Sequence, residues 1–151
     1  MSLTNIRLNR ELLELQNNIS DDITAEPVNN NIRQWIATIK GPSNTPYKDG
    51  TFKLQLDFDD TYPMKPPSVK FLTLIYHPNV YRDGKICLDI LQSNWSPVLQ
   101  ITTILISIQS LLMDPNIKSP ANRDAAVTYS KNRKEFNTKV TEYINKYCDE
   151  Y

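Results

Sequence analysis

The stretch Tyr76-His77-Pro78-Asn79-Val80-Tyr81-Arg82-Asp83-Gly84-Lys85-Ile86-Cys87-Leu88-Asp89 brings a thiol, an imidazole, a carboxamide and a carboxylate close together in the chain. Cys87 is the one strong nucleophile among them. A cysteine hydrolase would need a base within hydrogen-bond reach of the sulfur and a third group orienting that base. The single histidine, His77, lies well upstream of the thiol and is wedged against Pro78, which is poor geometry for such a dyad. A thiol that only carries an acyl group needs no strong base, because one thioester is exchanged for another and the incoming amine makes the later attack. It does need a donor for the oxyanion of the tetrahedral intermediate, and the Asn79 amide offers one. A metal centre has little support, since one histidine and two distant cysteines, Cys87 and Cys148, make a sparse ligand set. Acyl carriage is the favoured chemistry, with hydrolysis as its rival.

Three spaced elements, His77-Pro78-Asn79, Gly84-Lys85-Ile86-Cys87-Leu88-Asp89-Ile90-Leu91 and Trp95-Ser96-Pro97, match in order and spacing the core pattern of the ubiquitin-conjugating enzymes. The chain resembles that family over essentially its whole length. The resemblance implies one catalytic core domain over residues 1–151. It also implies an α+β fold: an N-terminal helix, a four-stranded antiparallel meander, an active-site loop and three C-terminal helices. By the same resemblance, Cys87 accepts ubiquitin as a thioester from an activating enzyme and yields it to a substrate lysine with the help of a ligase, often a RING domain. The chain itself would need no cofactor, the ATP being used by the activating enzyme.

On that reading Asn79 supports its loop and donates to the oxyanion. Asp89 orients the incoming ammonium and helps it lose its proton, since lysine starts near pKa ~10.4 and must be neutral to attack. His77 and Pro78 are structural parts of the loop. Where many members place an aspartate facing the cysteine, this chain has Ser119, which can hydrogen-bond but holds no fixed charge unless phosphorylated. Lys118 beside it adds a positive charge at the acceptor entrance.

Composition narrows the partners. Lysine plus arginine balance aspartate plus glutamate at 17 each, so no global basic field points to nucleic acid or an anionic membrane. At 151 residues there is room for one core. No apolar run approaches membrane-spanning length and no signal core is evident. The expectation is a monomer of the cytoplasm or nucleus with reduced cysteines.

The elements that must position the site follow from periodicity. Leu8, Leu12, Leu15 and Ile19 recur at helical spacing, with Thr4 as a candidate cap. On this helix Arg7 and Arg10 read as solvated residues by spacing, and as contacts for activating enzyme and ligase by resemblance. Phe52, Leu54, Leu56 and Phe58 alternate with polar residues, and connections containing Gly41-Pro42 and Asp49-Gly50 predict an antiparallel meander. Its wet face carries Thr24, Lys53 and Gln55, where some family members bind a second ubiquitin. Tyr62-Pro63-Met64-Lys65-Pro66-Pro67 makes a stiff loop that presents Met64, and Ser96-Pro97-Val98 makes another. In the family these two loops grip the ligase, and Met64 stands where many members have phenylalanine or asparagine. Ile101, Ile104, Leu105, Ile108, Leu111 and Leu112 form the core stripe of a later helix, and at ~100° per residue Ile106 points away from it. By resemblance, Thr103, Ile106, Ser107 and Ser110 then receive the donor ubiquitin. Asp114-Pro115-Asn116 ends that helix, and two more helices follow, near 123–131 and 134–147.

Ser119 together with Asn79-Val80-Tyr81, Ile108-Gln109-Ser110-Leu111-Leu112 and Ser119-Pro120-Ala121-Asn122 looks most like the branch serving post-replication DNA repair and histone monoubiquitination. Members dedicated to the SUMO modifier carry a more basic first helix and insertions among the early strands, which are not evident here. Non-catalytic variants that present ubiquitin to partners generally lack the cysteine.

Overall fold

The computed structural model describes residues 2–18 and 20–148. Helix α1 (Leu3–Asn18) is capped by Ser2, whose Oγ accepts the Asn5 N–H at 3.0 Å. Thr4, the expected cap, lies one position inside the helix and is buried; its hydroxyl donates to the Tyr62 carbonyl at 2.8 Å. The reason is the orientation of the helix. Its buried stripe runs Thr4, Leu8, Glu11 and Leu15, while Leu12 is only half-buried and Ile19 lies outside the described residues.

Strands β1 (Ile23–Val28), β2 (Asn31–Lys40), β3 (Thr51–Asp57) and β4 (Ser68–Phe71) pair in chain order, each antiparallel to the next. Asn29 and Asn30, at φ 52° and 61°, turn β1 into β2, a conformation that asparagine tolerates well. The register sets Ala37 opposite Leu54 and Leu56 opposite Val69, so that Trp35, Ala37, Ile39, Phe52, Leu54, Leu56, Val69 and Phe71 share one buried face. The opposite face carries the row Thr24, Thr38 and Lys53 beside the row Glu26, Ile36, Gln55 and Lys70.

A long loop follows β4 and ends in a short 3-10 turn at Asp89–Leu91, after which come α2 (Ile101–Met113), α3 (Arg123–Lys131) and α4 (Arg133–Tyr147). Ile104, Leu105 and Ile108 of α2 and Phe136, Val140 and Ile144 of α4 join the inner sheet face and Leu8 of α1 in one core. Each such fully buried side chain contributes about 1.5–3 kcal/mol by leaving water. Half-buried Cys148 packs against this core just past α4. Among the described residues no helix is long and apolar enough to cross a membrane.

Candidate active site

Gly84 at φ +93° closes the turn that delivers Cys87, with its N–H on the Tyr81 carbonyl at 2.9 Å. A Cβ there would lie 2.1 Å from the Phe71 carbonyl oxygen, so both backbone sign and space require glycine. The returning segment bridges Ile86 to Val80, and the Cys87 N–H donates to the Asn79 carbonyl at 2.8 Å. Side-chain direction alternates along this extended segment: Ile86 is buried, whereas Lys85 is exposed and the Cys87 thiol is part-exposed and free. The sulfur is therefore tied by its own backbone to the residue that carries the amide.

Asn79 is fully buried and its side chain is spent on the facing loop. Oδ1 accepts the Asn116 N–H at 2.8 Å, and Nδ2 donates to the Asn116 carbonyl at 2.7 Å and, more weakly, to the Ser119 carbonyl at 3.4 Å. Pro78 completes the attachment, its carbonyl accepting from Ala121 at 2.8 Å and Asn122 at 3.0 Å. Between these anchor points Ile117, Lys118, Ser119 and Pro120 stand exposed.

His77 is fully buried beneath them. A backbone N–H can only donate, so the Asn79 N–H at 2.9 Å marks Nδ1 as the bare nitrogen, and Nε2–H donates to the Leu111 carbonyl at 2.8 Å. Burial pushes its pKa down to about 4, the Leu111 contact opposing the shift in part. The imidazole is neutral and has both nitrogens occupied, which leaves it no role as a base toward Cys87.

Asp89 opens the 3-10 turn and is exposed; its carboxylate accepts from the Ile90 N–H at 2.8 Å and from Asn94 Nδ2 at 3.3 Å. It is held in place while open to solvent.

Arg7 and Arg10 aside, the residues expected to meet partners fall on three surfaces. Met64 and Val98 project strongly, at 72% and 83% exposure, from the two proline loops. Pro63, Ser96 and Pro97 are half-buried behind them. Trp95 ties the loops together, its Nε1–H donating to the Pro63 carbonyl at 2.8 Å. On α2, Thr103, Ile106, Ser107 and Ser110 follow i, i+3, i+4, i+7 along one outward stripe, with Ile106 49% exposed. Thr103 also serves the capping box of α2, its hydroxyl accepting the Gln100 N–H at 3.4 Å. Thr24, Lys53 and Gln55 lie on the outer sheet face.

Arg10 is exposed, but Arg7 is not a free surface cation. Its Nε meets Glu11 at 3.0 Å, and a second guanidinium nitrogen donates to the Leu99 carbonyl at 2.8 Å. Glu11, which the sequence reading did not single out, is the centre of this cluster. At 3% exposure it accepts from Arg7, from the Tyr62 hydroxyl, and from the Ile101 N–H at 2.7 Å. The carboxylate thus answers an orphan donor at the start of α2. Burial, and then the Glu11 contact, raise the Tyr62 phenol well above its ordinary range. A signal was available: a glutamate inside the apolar stripe, four residues after an arginine, is either out of register or partnered.

This fold, with a thiol beside an amide-held loop, defines a class. A model of the ubiquitin-conjugating enzyme family matches residues 7–144. The chain is 49% identical over 140 residues to "Ubiquitin-conjugating enzyme E2 2" of Neurospora crassa, covering 93% of each chain. A protein of the same name from Debaryomyces hansenii is 49% identical over 138 residues, 91% of this chain and 82% of that one. One from Emericella nidulans is 48% identical over 144 residues, 95% of each. The chain belongs to the ubiquitin-conjugating enzyme family. It is a transferase that works through a cysteine thioester, in a system comprising ubiquitin, an activating enzyme and a ligase.

Proposed function

We propose that Cys87 is the carrier sulfur and that Asn79 serves the second of its two reactions. In the first, the Cys87 thiolate attacks the thioester on the activating enzyme, forming a new carbon–sulfur bond and releasing the other thiol. In the second, a neutral lysine amine attacks that carbonyl, and the tetrahedral intermediate collapses to an isopeptide with Cys87 leaving as thiolate. Asp89 receives the ammonium and assists its deprotonation. Ser119 supplies its carbonyl to the wall but no fixed charge, so lysine activation leans on Asp89 or on the substrate. The observation that supports this reading is the backbone hydrogen bond from Cys87 to Asn79, which ties the segment bearing the thiol to the residue bearing the amide. Of that amide's two donations, the 3.4 Å contact to Ser119 is the one that can be exchanged for an oxyanion at least cost.

The single domain acts as a monomer in cytoplasm or nucleus, with ubiquitin rather than another modifier. Arg7, Arg10, Pro63, Met64, Ser96 and Pro97 meet the activating enzyme and a RING-type ligase; Thr103, Ile106, Ser107 and Ser110 meet the donor ubiquitin. Thr24, Lys53 and Gln55 offer a second ubiquitin surface. The "E2 2" relatives and the Ser119-Pro120-Ala121-Asn122 segment support the repair and histone-modifying branch. The test is loading with activating enzyme, ATP and ubiquitin. The unmodified chain forms a reductant-labile adduct, and Cys87→Ser forms a slower, reductant-resistant ester. A reductant-labile adduct persisting in Cys87→Ser contradicts the assignment.

A further inference from the structure

A cleft of about 380 Å³ opens beside the Asn79 wall, and no step described so far uses it. Its lining includes Tyr76, Val80, Arg82, Asn122, Arg123 and Asp124. Val80 directly follows Asn79, and the Asn122 N–H, with that of Ala121, holds the Pro78 carbonyl, so cleft and candidate active site share a wall.

The charges in the cleft do not cancel. Asp124 is already answered from within the protein, accepting from the Tyr76 hydroxyl at 2.5 Å and from Lys139 Nζ at 3.0 Å. Arg82 and Arg123 are exposed, and among the described residues neither side chain has an ion-pair or hydrogen-bond partner. Two guanidinium groups thus line one concave surface without a carboxylate of their own. Guanidinium is a planar fork suited to bidentate carboxylate recognition. Lys118, exposed on the neighbouring loop, has the same sign.

We propose that this cleft holds an acidic, Asp- or Glu-rich stretch of the protein whose lysine receives ubiquitin. The inference rests on the thioester reading above and names the substrate class it serves. Seating such a stretch would fix the approach of the lysine beside it and convert a diffusional encounter into a positioned one. Exposed ion pairs are individually modest, so the expected gain is about tenfold in KM.

The experiment discharges Cys87-loaded enzyme onto synthetic peptides sharing one lysine flanked by glutamates, alanines or arginines, with free lysine as reference. The glutamate peptide has a KM about tenfold below the alanine peptide at similar kcat. The Arg82→Glu/Arg123→Glu double variant prefers the arginine peptide, and its discharge to free lysine is unchanged. Equal KM values for the three peptides, or a glutamate preference surviving the double variant, would overturn the proposal. Loading is scored first: a chain that does not load contradicts the thioester reading, and the cleft is then decided by fluorescence anisotropy of the labelled peptides on the unloaded protein, with the same order expected and the same results overturning it.

Discussion

Around Asn79, the loop over residues 116–122 is held by a carboxamide and by backbone carbonyls and N–H groups, none of them charged. Around Tyr62 and Trp95, the two proline loops are held by a buried carboxylate, Glu11, with its arginine and phenol. Helix α2 connects the two regions. Glu11 caps its first turn at Ile101, and His77 answers a carbonyl near its end at Leu111, about 15 Å further along at 1.5 Å per residue. The charged device sits away from the proposed site of chemistry. Under the proposed mechanism, neutral groups in the wall neither oppose the negative charge that develops on the oxyanion nor compete for the incoming ammonium. At the two proline loops, a buried charge node can supply a stronger and more specific attachment.

The comparison breaks most severely at Glu11. Glu11→Ala removes the carboxylate shared by Arg7, the Tyr62 hydroxyl and the Ile101 N–H, leaving Arg7 only the Leu99 carbonyl, and we expect a loss of about 3 kcal/mol or more in urea unfolding. Discharge of loaded enzyme to free lysine should change by no more than about threefold, while ligase-stimulated discharge falls further. A Glu11→Ala protein as stable as the parent removes the charge node from the account.

His77 sharpens the contrast through pH. Its folded pKa of about 4 lies below the ordinary value of 6.5, so between those values the unfolded chain binds more protons than the native one. Stability is therefore fully present above pH 6.5 and is lost as pH falls toward 4; between pH 7 and 5 the loss is about 2 kcal/mol. Urea midpoints across that range measure it, and a flat profile would show that the imidazole titrates normally. The smallest effect belongs to Trp95→Phe, which keeps an aromatic side chain but removes the donor to the Pro63 carbonyl. It should cost about 1 kcal/mol by thermal or urea unfolding and weaken ligase-stimulated discharge before it affects loading.

Legibility in the sequence divides along the same line. The alternation in β3 and the α2 stripe gave the layers, because burial imposes periods that residues must obey. Cys87 and Asn79 stood out as candidates because few side chains can attack a thioester or donate from a neutral amide. The loop that Asn79 holds was only generally expected, since its partners at Asn116 and Ser119 are backbone groups and any residue supplies them. Arg7 read as a solvated cation because spacing on one helix does not reveal that the Leu99 carbonyl and a buried glutamate lie beside it. Ser2 rather than Thr4 caps α1 for a similar reason: both are capping types, and the contact to Tyr62 that occupies Thr4 is long-range.

The most direct test of the wall's role is to time the two half-reactions of Asn79→Ala separately under single-turnover conditions. Loading from the activating enzyme should fall by less than about threefold, and discharge to lysine should fall by about 100-fold. An equal fall in both half-reactions would contradict the assignment of the amide to the amine step and leave it only the support of the loop.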